Sequence, residues 1–479
     1  MKKSIILLIV LSILFFAVSC ESDTLPDPSN NAEGLPVTEI NTFADQFDMF
    51  WKSMNSRYVF WKAENQADLA SRWDDIYKTY MPKFVSVDES YSEETSNSDF
   101  AKIKSYYKEI CSDFADGHMS VHIWNVYSTD SDFKFSPSLE NNEKRENFHY
   151  QYFSSGTDLL SEGAMLLSKA TTETNYFTDT DINFGDYTFT NDFFCGYSTG
   201  TNDYAIYQRI KVSKDSNQIG YILYLLFSGY DITSNIIYDT YKGYVYKTAF
   251  AEAKEYLTTD TDKGKCLGLI LDNRSNSGGN NMDLKYVIGL YTDSSHVIGK
   301  TQYKQGFGKY DLTNAVNYVI YPNTESEYYV GSLDVPYVVL CDLHSVSNGE
   351  IVSAGISTLP TGYSIGERTW GGTGPLYTSV YGDDNYTYGG SFGNKNGPLY
   401  VYTSSFWNKL KVKDSSSGET VFKSLEGIGF TPDYDIPAGN QTENEDASAW
   451  QTRVNTMLDS QMKAALSYIV TGTANLQQN

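Results

Sequence analysis

Three short apolar runs most limit what this chain can fold into. Ile219–Phe227, Leu267–Leu271 and Tyr337–Cys341 contain no charged residue. Their apolar character is continuous rather than alternating, which fits strands buried on both faces. Between them lie stretches with helical spacing of apolar residues, Tyr246–Leu257 and Met282–Leu290. Strands alternating with helices predict crossover units and a parallel sheet across residues 205–437. The expected fold class is α/β.

The flanks read differently. Phe43, Phe47, Phe50 and Trp51 recur at spacings of three and four, as do Leu69, Trp73 and Ile76, and then Ile103, Tyr106, Tyr107 and Ile110. These stripes predict a small N-terminal helical domain over residues 38–125. Residues 126–204 are rich in Tyr, Asn, Asp and Thr and weakly patterned, so a β-rich middle segment of short strands is expected. Gly371–Asn396 is dense in Gly, Tyr and Asp and reads as loops or hairpins. Within 438–479, Trp450, Val454, Met457, Met462, Ala465 and Ile469 predict a C-terminal helix, with a frayed tail after Gly472.

The N-terminus reads as an address. Lys2 and Lys3 precede an apolar run from Ile5 to Val18, broken only by Ser12. That pattern predicts a secretory signal over residues 1–19. The run ends Ala17-Val18-Ser19-Cys20, which resembles the cleavage box of a bacterial lipoprotein. Cys20 is then the lipidated N-terminus, and residues 20–37 form a polar tether. The competing reading is an ordinary signal peptide with an incidental Cys. The expected location is the cell envelope, lipid-anchored on the periplasmic or surface side of a bacterial membrane.

Charge and thiols exclude several classes. The chain has 36 Lys+Arg against 60 Asp+Glu, a net −24. Removing residues 1–19 takes two Lys, and 34 − 60 leaves −26. Such a chain has no positive field for nucleic acid or phosphate. Four thiols remain beyond Cys20, namely Cys111, Cys195, Cys266 and Cys341, and none stands as C-x-x-C. Neither a metal nor a disulfide scaffold is expected, and no cofactor.

The segments that carry chemistry follow the apolar runs. Val335–Glu350 takes a strand through a turn into a helix near Ser347. Ser347-x-x-Glu350 fits a capping box, the bland reading. In the functional reading, Ser347 is a nucleophile at a helix N-terminus, where free N–H groups and the helix dipole favour a developing oxyanion. A Ser needs a base, and the chain has five His: His118, His122, His149, His296 and His344. His344 lies three residues before Ser347. His118 closes Asp116-Gly117-His118, where a helical stretch gives way to a strand-like Val-His-Ile-Trp. In Leu267–Asn281 a strand ends at Asp272 and Arg274, and then Gly278-Gly279 allows close backbone approach with exposed N–H groups. No Walker or dinucleotide glycine pattern is present there, so an oxyanion hole is the better fit.

In this order, the motifs resemble the serine peptidase family of tail-specific (C-terminal processing) proteases and the tricorn protease core. The resemblance rests on Ile219-Gly220-Tyr221-Ile222, on Asp272 to Gly279 (Asp-x-Arg-x-Asn-x-Gly-Gly), on Ser347 to Glu350, on Gly366-Glu367-x-Thr369-x-Gly371, and on Glu426-Gly427-x-Gly429-x-x-Pro432-Asp433. It implies a crotonase/ClpP-like catalytic core and would make the middle segment PDZ-like. In the family's Ser–Lys variant the base follows the Gly-Glu-x-Thr-x-Gly stretch, and that position here is Gly372. In the tricorn-like variant the base is the His of Asp-Gly-His. The resemblance thus implies Ser347 as nucleophile, His118 as base, Glu426 as the carboxylate that orients it, and Gly278, Gly279 and Asn348 as oxyanion donors. Asp272, Arg274 and Glu350 would hold the turns.

The function expected is an extracytoplasmic serine endopeptidase acting on peptide or protein substrates. One alternative is a catalytically inactive peptide- or glycan-binding lipoprotein on the same scaffold. Another is acyl transfer or hydration on a crotonase-like fold, disfavoured because no coenzyme phosphate cradle is recognisable.

Overall fold

The computed structural model describes residues 39–128, 131–137, 165, 167–169, 183–184, 186–200, 203–259, 265–376, 389–414, 417–437 and 447–474. The expected signal, Cys20 and tether lie outside the described residues, as does most of the segment expected to be PDZ-like. No helix among the described residues is long and apolar enough to cross a membrane.

Three helices come first among the described residues: α1 (Phe43–Arg57), α2 (Ala67–Ser90) and α3 (Ser96–Cys111). Thr42 caps α1 through a full capping box with Asp45. The three apolar stripes meet in one core, where Phe43, Phe47, Phe50, Trp73, Phe84, Ile103 and Tyr107 are buried. Strands β1 (Ser120–Trp124) and β2 (Asp132–Phe135) follow. The helical segment does not close on itself. β1 pairs with a strand from residues 399–402, and Phe392, Leu399, Val401 and Trp407 complete the helical core.

The middle and core strands run β3 (Asn183–Phe184), β4 (Tyr187–Ser198), β5 (Tyr204–Lys214) and β6 (Asn217–Phe227). Helices α4 (Ile232–Ile237) and α5 (Tyr241–Thr258) lead to β7 (Cys266–Asp272), followed by the short helix α6 (Leu284–Val287). Strands β8 (His296–Tyr303), β9 (Val316–Ile320) and β10 (Tyr337–Cys341) come next. Helix α7 (Asn348–Ser357) and β11 (Gly362–Gly366) lead to β12 (Phe392–Gly393), β13 (Leu399–Tyr402), β14 (Phe406–Lys413), β15 (Thr420–Lys423) and β16 (Tyr434–Asp435). Helix α8 (Ala447–Thr471) ends the fold.

The central sheet has the order β16-β11-β10-β7-β6-β5-β4-β3. Strands β6, β7, β10, β11 and β16 are parallel neighbours, and β3, β4 and β5 extend the sheet antiparallel. The three apolar runs are β6, β7 and β10, side by side at its centre. Their side chains divide by the two-residue period of a strand. Leu223, Leu225, Leu269, Val339 and Cys341 face α5 and α7, whereas Ile222, Tyr224, Ile270, Val338 and Leu340 face α8. Each such fully buried side chain is worth about 1.5–3 kcal/mol.

Two expectations are corrected here. The boundary near residue 204 cuts through paired strands, because β4 is bonded along its length to β5 and belongs to the central sheet. Met282–Leu290 is not one helix but α6 between two 3₁₀ turns. The Gly289 carbonyl accepts from the Asn323 amide, and a side chain at Gly289 would meet the Tyr321 carbonyl at 2.7 Å, so the crossing chain ends the helix there.

Candidate active site

The carboxyl ends of β6, β7, β10 and β11 open on one side of the central sheet. In open α/β sheets that edge is where ligands bind. The turns leaving it carry Tyr230, the 273–279 segment, Ser347 and the 367–372 segment.

Ser347 stands at the mouth of α7 with φ 56° and ψ −118°, a positive φ that a side-chain-bearing residue rarely adopts. Such a residue costs on the order of 1–3 kcal/mol and persists only where its surroundings over-determine it. Those surroundings are visible. The Val346 amide donates to the Asn276 carbonyl at 3.0 Å, and the Ser347 amide donates to the Gly372 carbonyl at 3.1 Å. The Asn273 side chain donates to the Gly349 carbonyl and to the Ser353 hydroxyl. The Ser347 hydroxyl makes no capping bond, so the capping-box reading fails. Glu350 has another task. Its carboxylate accepts from the Thr369 hydroxyl and from the Gly371 and Gly372 amides, each at 2.6 Å, and so clamps the 369–372 turn beside Ser347.

The glycine pair lies against the serine. Gly278 has φ 95°, and a Cβ there would sit 2.6 Å from the Ser347 Cβ. Only glycine permits that approach. The Gly278 amide donates to the Asn276 Oδ1 at 2.9 Å. The amides of Gly279 and Asn348 have no acceptor among the described residues. The Asn348 Nδ2 donates to the Gly279 carbonyl at 2.7 Å, which ties the helix mouth to the glycine turn.

Asp272 and Arg274 form a fully buried, two-pronged ion pair, with Nε to Oδ1 at 2.8 Å and Nη2 to Oδ2 at 2.5 Å. Arg274 also donates to the Leu458 carbonyl and to Gln461, both on α8. The Tyr224 hydroxyl donates to Asp272 at 2.8 Å. This pair locks the glycine turn to the C-terminal helix.

His118 arrives from the opposite side, on the turn between α3 and β1. A Cβ on Gly372 would lie 3.3 Å from its Cε1 and 3.4 Å from its Nδ1. Gly372 is therefore shared: its carbonyl holds the Ser347 amide and its face packs on the His118 ring. A side chain at 372 would press on the imidazole, and the ring would have to give by a few tenths of an ångström. The His118 Nδ1 is buried without a hydrogen-bond partner. Burial lowers the His118 pKa, opposed by the Asp116 charge, so the neutral, proton-accepting form is favoured at neutral pH.

Two buried carboxyls stand behind it. Asp116, His118 and Glu426 have ligating atoms all within 4.8 Å of one another. Glu426 accepts from the Gly117, Thr373 and Gly374 amides and the Thr373 hydroxyl. Asp116 accepts from the His118 and Ser404 amides and the Thr403 and Ser404 hydroxyls. Five backbone N–H groups thus point at these oxygens, a donor set that suits carboxylates and opposes a bound cation. Burial and then the Asp116 charge push the Glu426 carboxyl well above the usual range.

The other histidines lie elsewhere. His122 pairs with Asp132 and tilts over Trp124. His296 bonds the Gly355 carbonyl and Thr358. His344 sits on the 342–346 turn, its pKa lowered by burial. His149 lies outside the described residues. The thiols Cys111, Cys266 and Cys341 are buried and Cys195 is half-buried, all four unpaired.

Residues 219–387 match the model of Peptidase family S41. That segment resembles an S41 peptidase core, and the match supports a serine-type peptidase acting on peptide or protein substrates. Among curated proteins no sequence matches. A crystal structure of a protein from Parabacteroides merdae ATCC 43184, provisionally described as a peptidase, is 17% identical with a TM-score of 0.50, over 90% of this chain and 98% of that one. That likeness is one of fold. Mature CPAF is 12% identical over 64% of this chain and 60% of its own, with a TM-score of 0.39. The tricorn protease is 12% identical over 90% of this chain and 37% of its own, with a TM-score of 0.37.

Proposed function

We propose that this chain is an extracytoplasmic serine endopeptidase, anchored by lipid at Cys20, with Ser347 as nucleophile and His118 as general base. The observation that carries the reading is Gly372, whose carbonyl holds the amide of a strained Ser347 and whose face packs on a His118 ring with its Nδ1 buried and unbonded among the described residues.

In the reaction, His118 takes the Ser347 hydroxyl proton as Oγ bonds the substrate carbonyl carbon. The carbonyl oxygen becomes an oxyanion facing the N–H groups of Asn348 and Gly279, at the positive end of α7. Gly278 joins them when its amide leaves Asn276. The C–N bond then breaks, and the amine leaves with the proton from His118. Water, deprotonated by His118, releases the acyl group and restores Ser347. Glu426 holds the turn that carries His118 through the Gly117 amide. The leader run, the small residues before Cys20 and the acidic, polar tether support the envelope location.

Labelling with a serine-directed phosphonate tests the site. The protein should label, and Ser347→Ala and His118→Ala should not. Labelling that survives Ser347→Ala moves the nucleophile elsewhere, and an unlabelled protein favours the silent binding lipoprotein. Radiolabelled palmitate carried by the full chain and lost in Cys20→Ala tests the anchor.

A further inference from the structure

We infer that the carboxyls Asp116 and Glu426 carry one proton between them behind His118, held on Glu426, with Asp116 the ionised member that supports the imidazolium when His118 takes the Ser347 proton. The inference deepens the Ser347–His118 reading and rests on it. It gives Asp116 a positioning role that the motif resemblance did not assign.

The geometry comes first. A carboxylate offers about four lone-pair sites, two per oxygen. Asp116 has all four faced by donors: the His118 amide and Ser404 hydroxyl at Oδ1, and the Thr403 hydroxyl and Ser404 amide at Oδ2. No edge of it is left for a proton. Glu426 is lopsided. Its Oε2 faces three donors, the Thr373 amide and hydroxyl and the Gly374 amide, whereas Oε1 faces only the Gly117 amide among the described residues. The open position on Oε1 is where a proton fits.

The electrostatics agree. Both carboxyls are fully buried, and their oxygens lie within 4.8 Å. Two like charges so close in a dry site do not both ionise. The titratable groups that face the pair are His118, Glu350 of α7, Tyr58 after α1 and Tyr402 of β13. Glu350 adds negative charge and the buried tyrosines add none, so only an imidazolium can balance a second anion. Asp116 is the charge that raises the His118 pKa against burial. It is also the charge that holds the Glu426 proton on. The arrangement keeps one negative charge, not two, next to the base. His118 then stays neutral at rest and is stabilised when it becomes charged.

The test reads the acid limb of kcat/KM against pH, with the imidazole titration of His118 followed by NMR. Asp116→Asn in the Glu426→Gln background, where no second carboxyl can ionise in its place, should move the acid limb down by about one pH unit or more, because it removes an anion within 4–6 Å. It should lower kcat with little change in KM. Glu426→Gln imitates the protonated acid and should leave the limb in place. A limb that moves in Glu426→Gln, or that stays in the double variant, overturns the assignment. A second arm needs no change at either carboxyl. In the Ser347→Ala protein, the His118 signal should titrate in two steps, its own and that of the pair. A single step overturns the shared proton. If Ser347→Ala still cleaves peptide at the original rate, the peptidase site is wrong, and the NMR titration still decides the pair.

Discussion

The two halves of the candidate site are built by different means. Ser347 is held by backbone: its turn leaves the central strand β10, and the amides of Val346 and Ser347 bond carbonyls of neighbouring turns. His118 is held by side chains, on a turn whose amides bond Asp116 and Glu426. A backbone-held group keeps its place at any ordinary pH. A carboxyl-held group keeps its place only while those carboxyls keep their protonation states. The nucleophile half is therefore the rigid partner, and the base half is the one that pH and polar substitutions should disturb.

Ser347→Ala gives the largest expected effect. It should lower kcat/KM roughly 10⁴-fold or more. Because the hydroxyl has no hydrogen-bond partner among the described residues, stability should change by less than about 0.5 kcal/mol. Peptide hydrolysis and urea unfolding of the same preparation check both. A large stability loss would mean that the serine is structural after all.

Arg274→Met comes next and attacks the rigid half. It leaves Asp272 buried and unpaired, which typically costs about 3–5 kcal/mol. Urea midpoints should fall accordingly, and Asp272→Leu/Arg274→Met should recover much of the loss because the uncompensated charge is gone. Equal loss in the single and double variants would assign the energy to the Leu458 and Gln461 contacts on α8 instead. A smaller effect is expected at the joint between the halves. Gly372→Ala places a methyl group 3.3 Å from the His118 ring and 3.1 Å from Trp370. Activity should fall about tenfold, equivalent to about 1.4 kcal/mol, with stability nearly unchanged. Stopped-flow peptide hydrolysis measures it, and full activity would show that the ring has room to move.

The rigid half was the legible half. Strands β6, β7 and β10 follow from apolar runs alone, because a strand buried on both faces needs nothing else. Ser347 and the glycine pair follow from ordered motifs within those turns. Glu350 was legible as a residue that holds a turn, but the turn it holds was not. Its spacing from Ser347 suggested a cap, whereas its carboxylate reaches amides at 371 and 372 that no local spacing indicates. The base half was less legible because its contacts are remote. Asp116 lay inside the Asp-Gly-His motif, but Thr403 and Ser404 are 287 and 288 residues away along the chain. The helical stripes were clear, yet their core is completed by Phe392, Leu399, Val401 and Trp407, which the sequence places far outside that segment.

The smallest effect is a pH dependence specific to the base half. Burial lowers the His118 pKa in the folded protein below the ordinary value of 6.5. As pH falls through about 6.5, the unfolded chain takes up a proton that the folded chain refuses. Folding stability from this residue is therefore full above that pH, and it is lost on acidification until the folded pKa is reached. The slope is at most about 1.4 kcal/mol per pH unit. His118→Gln removes the titration while keeping a polar side chain of similar length. Its urea-derived stability should decline less steeply than that of the unaltered protein from pH 6.5 downward, and the two curves should run parallel above. Parallel curves throughout would mean that His118 is as free to take a proton in the folded state as in the unfolded one. The base would then be solvated rather than buried against Gly372, and the contrast between the two halves would disappear.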